Sequence, residues 1–94
     1  MDNFLSKRVS VPADVLINEI AGESVLLNLD GGRYFGLDDV GTDMWKALTT
    51  SISIEQALAQ LTALYDADAT ALKNDLENLV GRLAEHGLVK LDDR

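Results

Sequence analysis

The segment LLNLDGGRYFGLDDVGTDMW, residues 26 to 45, limits the possible folds of this chain more than any other stretch. Two apolar runs flank Gly31-Gly32, residues that accept the positive φ values of a tight hairpin turn. The second run then passes within two residues into a helical pattern. A hairpin that stops so abruptly leaves its last strand with no obvious partner in the chain. Upstream, VLINEI at 15 to 20 and SVLLNL at 24 to 29 are separated by Ala21-Gly22-Glu23 and form a first hairpin. With RYFGL as the third strand, the sheet is an antiparallel meander. A loop made of Gly31 and Gly32 sets Leu29 opposite Tyr34 and Leu26 opposite Leu37. Val25, Leu27, Leu29 and Tyr34 then share one face, and Leu26, Phe35 and Leu37 share the other. Both faces are apolar enough to meet the core, and alternation alone does not choose between them.

Past Leu37 the apolar period changes from two to nearly four. Asp38 or Asp39 can cap a first helix whose Val40, Met44, Ala47 and Leu48 lie on one side, with Trp45 beside them. Gly41 inside that helix costs about 1 kcal/mol relative to alanine, which indicates close packing against the sheet. Ser53 and Gln56 form a capping box for a second helix carrying Ile54, Ala57, Leu58, Leu61, Leu64 and Tyr65. The clearest stripe is Leu72, Leu76, Leu79, Val80 and Leu83, a third helix that ends at Gly87, with Leu88 folding back on Leu83. A short apolar tail, LVKL, follows. The expected fold is α+β, a winged helix-turn-helix-like arrangement of a three-stranded antiparallel sheet followed by three helices, with strands over about 15 to 37 and helices over about 39 to 86.

The 94 residues, 47% of them apolar, suit one domain spanning 1 to 94 with a single core. There is no cysteine, so disulfides, thiolate metal sites and cysteine nucleophiles are excluded. No run approaches the roughly 20 apolar residues of a membrane span, and a soluble, cytoplasmic protein is expected. The net charge of −8 repels nucleic acid and anionic lipid, and on its own it favours a basic or neutral partner.

Catalytic chemistry is hard to assemble from these residues. His86 is the only histidine, and its place at a helix end suits the dipole there. Asp38, Asp39 and Asp43 lack the alternating pattern of a calcium loop, and Gly31-Gly32 leads into a strand with no phosphate-loop lysine. No catalytic residue, metal ligand or cofactor is therefore assigned, and an independent enzyme is not expected. A winged helix could bind DNA, and a DNA-binding or regulatory domain is the alternative. The third helix, however, shows Asp75, Glu77 and Glu85 against Lys73 and Arg82, a poor surface for phosphates. What remains is the free edge of the third strand, which can take an extended peptide or pair with its counterpart in a homodimer. Gly36 within that strand marks either a place where another backbone approaches or a bulge.

The LLNL-x-GG-x-YFGL hairpin, the G-T-x-x-W start of the first helix, the D-L-x-x-L core of the third and the G-L-V ending together resemble the PqqD-like family, also called RiPP recognition elements. The resemblance covers about residues 15 to 90 and is closest to the general or lasso-peptide branch. It implies a non-catalytic role: binding the leader of a ribosomally made precursor peptide and presenting it to a tailoring enzyme, such as a leader peptidase or a radical SAM enzyme. Carried over by position, it implies that Arg33, Tyr34, Phe35, Gly36 and Leu37 form the strand edge on which the leader lies. Asp75, Leu79 and Arg82 would form the facing wall. Core packing is the competing role for Leu37 and Leu79, and simple solvation is the competing role for Asp75 and Arg82.

Overall fold

The computed structural model describes residues 4–93 and shows the expected winged-helix-like α+β fold. A short 3-10 turn, Phe4–Ser6, leads into β1 (Lys7–Ser10), followed by β2 (Val15–Ile20), β3 (Glu23–Asn28) and β4 (Arg33–Leu37). The helices α1 (Asp39–Thr50), α2 (Ile54–Tyr65) and α3 (Ala69–Glu85) come next, and β5 (Lys90–Asp93) closes the chain. The anticipated three strands are β2, β3 and β4, an antiparallel sheet in that order.

A second sheet was not expected. β1 and β5 pair antiparallel, from Lys7 opposite Asp93 to Ser10 opposite Lys90. Its strands, KRVS and KLDD, are short and charged and lack an apolar run, so only tertiary pairing defines them. Lys7 Nζ meets Asp93 Oδ1 at 2.8 Å, and that ammonium holds the Asp93 carboxyl below its usual range. Ser10 Oγ donates to Asp92 Oδ2 at 2.7 Å.

The core settles which face of the larger sheet is inward. Leu26, Phe35 and Leu37 are buried with Met44, Trp45, Leu48, Ile54, Leu61 and the whole α3 stripe. The register of the second hairpin differs from the expectation by two residues: Leu26 faces Phe35, and Leu27 faces Tyr34. The loop is Leu29 to Gly32, not the two glycines alone, because Asn28 organises it. Asn28 Oδ1 accepts from the Asp30 amide at 3.0 Å, the Asn28 carbonyl accepts from the Gly32 amide at 2.7 Å, and Gly32 takes φ +67. A shift of two residues preserves the faces, so the inward and outward sets stand as expected.

Each helix starts at a side-chain cap. Asp38, rather than Asp39, accepts from the Gly41 amide at 2.7 Å. A Cβ on Gly41 would come within 3.2 Å of Leu37 Cδ2, the close approach to the sheet that its cost indicated. Ser53 accepts from Gln56 N, while the Gln56 side chain accepts from Ile52 N, one residue earlier than a capping box prescribes. Two stripe members fall outside the core: Val40 and Leu64 are exposed. The third helix ends as expected, with Gly87 at φ +70, the Gly87 amide on the Ala84 carbonyl and the Leu88 amide on the Leu83 carbonyl. The Tyr65 hydroxyl donates to the Asp43 carboxylate and ties α2 to α1; this bond, and then burial, push the phenol up to about 12.

Candidate functional site

An antiparallel meander has two outer strands, and here β4 is one of them. One edge of β4 pairs with β3 along its whole length, and no strand pairs with the other edge among the described residues. β1 does not cover it, being paired with β5. The pairing of β4 runs without interruption through Gly36, which faces Val25, so Gly36 is not a bulge. Its absent side chain leaves a bare position, with nothing within 4 Å of where a Cβ would stand.

Alternation divides the strand. Arg33, Phe35 and Leu37 lie on the face that covers the core, and Tyr34 and Gly36 lie on the other. Phe35 is 8% exposed, whereas Tyr34 is 72% exposed on an outer surface that it shares with Leu16, Val25 and Leu27. An added strand would continue both faces, setting alternate side chains beside Tyr34 and beside the helical layer.

The wall next to Phe35 is α3. Asp75, Leu79 and Arg82 stand at helical spacing on one side of it. The Arg82 guanidinium carbon lies 5.0 Å from the Phe35 ring centroid, and the His86 ring meets Phe35 edge-on at 5.2 Å. The structure therefore brings Phe35 and Arg82 into contact. Leu79, 9% exposed, shares the core with Leu37 and Phe35, so both leucines have the packing role that competed with a contact role. Asp75 is exposed on α3 and makes no hydrogen bond or ion pair among the described residues. Arg33 is exposed at the hairpin end of the strand.

Two residues at this junction were not assigned a site role from the sequence. Asn28 Nδ2 donates to the carbonyls of His86 and Gly87, at 3.3 and 3.4 Å, and fixes the hairpin to the end of α3. His86, placed at the helix end by its dipole, also packs on Phe35. An Asn opening a glycine loop and a lone His at a helix end were the available signals, but only the tertiary fold puts them together. Among the described residues no group of His, Cys, Asp or Glu could hold a metal ion, and no helix is long and apolar enough to cross a membrane.

Comparison with known proteins gives one direction. A family model described as coenzyme PQQ synthesis protein D (PqqD) matches residues 23–89. A solved structure described as TbiB1 in complex with the TbiA(beta) leader peptide is 32% identical, covers 85% of this chain and 93% of its own, and superposes with a TM-score of 0.79. A lasso peptide synthetase B1 complexed with the leader peptide is 23% identical, covers 88% of this chain and 98% of its own, and has a TM-score of 0.78. No curated protein matches the chain.

Proposed function

This chain belongs to the PqqD family, and we propose that it is a non-catalytic domain that captures the leader of a ribosomally made precursor peptide as an extra strand on β4. The single observation that carries the reading is the free edge of β4 lying against α3, with Phe35 gripped by Arg82 and His86. Main-chain pairing along Arg33, Tyr34, Phe35, Gly36 and Leu37 supplies affinity with little dependence on sequence. Side chains beside Tyr34 and the wall formed by Asp75, Leu79 and Arg82 supply the selection. The two solved relatives, both described as leader-peptide complexes, support this occupant.

The bound leader is presented to a modifying enzyme, such as a leader peptidase or a radical SAM enzyme, and the whole chain acts as one recognition domain without a cofactor. Hydrogen exchange with and without the TbiA(beta) leader peptide tests the mode of binding. Slowed exchange across residues 33 to 37, with residues 15 to 20 unchanged, is the expected outcome. Protection of β2 instead, or of neither strand, would show that this edge is not where a peptide lies. Light scattering distinguishes a domain that holds a peptide from a homodimer joined through two β4 strands.

A further inference from the structure

The overall charge of −8 favours a basic partner at long range, but the charges nearest Phe35 are positive, Asp75 of the cleft wall lying about two turns along α3 from Arg82. Lys7, Lys46 and Lys73 each have a carboxylate partner, Asp93, Glu19 and Glu77 respectively. Arg33 and Arg82 have none among the described residues. Among the described residues the other cations without one, Arg8 and Lys90, lie in the terminal sheet. The two unneutralised cations of the winged-helix body therefore flank Phe35, Arg33 from the same inward face of β4 and Arg82 from α3. Asp30 in the hairpin loop and Glu85 beside His86 are the nearest acidic residues in sequence, and neither pairs with them.

His86 is held in place beside the same ring. His86 Nδ1 stands 2.7 Å from the Arg82 carbonyl oxygen, which can only accept, so Nδ1 carries the proton and donates. That bond fixes the imidazole against one side of Phe35 while the guanidinium covers another. A guanidinium on an aromatic ring keeps its in-plane N–H groups free, and these match a carboxylate two at a time. A strand added to β4 brings the Cβ of the residue opposite Phe35 to about 5 Å from that of Phe35, within reach of this fork.

We propose, resting on strand addition at β4, that the cleft selects peptides with an Asp or Glu opposite Phe35. Arg82 reads the carboxylate, Arg33 assists, and His86 acts as a positioning residue. Specificity is then set by two local cations against the sign of the whole molecule.

Selection of random 12-residue peptides displayed on phage, on the full chain, tests this. Peptides aligned by their apolar positions are expected to show Asp or Glu enriched about tenfold over Lys and Arg at one place, the size expected of a charge-assisted pair. Arg82→Gln is expected to abolish that enrichment while keeping the apolar positions, and Arg82→Glu to move it to Lys and Arg. His86→Ala is expected to reduce it severalfold with the apolar positions kept, which loss of structure alone would not do. Peptides retained without an acidic preference, or with one that survives Arg82→Gln, overturn the inference and leave strand addition standing. No retained peptides at all would remove strand addition itself.

Discussion

β2 and β4 are the two edges of one sheet, and among the described residues neither outer edge is paired with a further strand. β2 is exposed along nearly its whole length, with Leu16, Ile17 and Ile20 open to solvent. Its inward face carries a charge, Glu19, bound to Lys46 of α1 at 2.8 Å. An inward-pointing charge on an edge strand is a standard obstacle to further pairing, because an added strand would have to desolvate it. The one inward charge of β4, Arg33, stands at the hairpin end; past it the inward side chains Phe35 and Leu37 are buried, and α3 stands alongside. A free edge by itself therefore does not make a binding site. What separates the two is whether the inward face is anchored to a helical layer or guarded by a charge.

The largest expected effect comes from removing the anchor. Phe35→Ala should cost about 3 to 5 kcal/mol in denaturant unfolding, while Ile17→Ala, half exposed on the other edge, should cost under about 1 kcal/mol. Equal losses would erase the distinction between the strands. Next, Asn28→Ala should cost about 1 to 2 kcal/mol, because it frees two carbonyls at the end of α3 and one amide of the loop. Heteronuclear NMR should show the disturbance spreading to β4 and leaving β2 quiet.

Tyr65→Phe should cost about 1 kcal/mol near neutral pH through loss of the bond to Asp43, with both edges unchanged. The phenol ionises near 12 in the folded chain against an ordinary 10, so folding favours its protonated form. That contribution is complete below about pH 10 and disappears as pH rises towards 12, and thermal melts of the Phe variant should lack this component. Smallest is Glu19→Gln, under about 1 kcal/mol because the pair is exposed. Its sharper readout is association: sedimentation should show the variant gaining contacts through β2 that the parent lacks.

The parts of the molecule legible from sequence are those fixed by neighbours along the chain. The α3 stripe from Leu72 to Leu83 is buried throughout because helical spacing alone places those residues on one side. Alternation gave the two faces of the sheet but not the pairing, because faces depend only on parity and register depends on how Asn28 shapes the loop. Val40 and Leu64 kept the helical spacing yet are exposed, because spacing fixes a side of a helix and not how far its neighbours cover that side. β1 and β5 were hidden because their energy resides in pairs such as Lys7 with Asp93, at opposite ends of the sequence. At the site, the free edge could be foreseen from the absence of a partner strand. The packing of Arg82 and His86 on Phe35 could not, since it joins a helix end to a strand about fifty residues earlier.

Because β1 and β5 are zipped together, the two ends of the described chain leave the fold side by side, the paired residues Lys7 and Asp93 having Cα atoms about 5 Å apart. A short linker could join them and new ends be opened at the Gly22 turn, giving a circularly permuted domain with the same cleft. Equally, an enzyme tethered to either end would start from one point on the surface, so the order of fusion would matter little to how far it must reach.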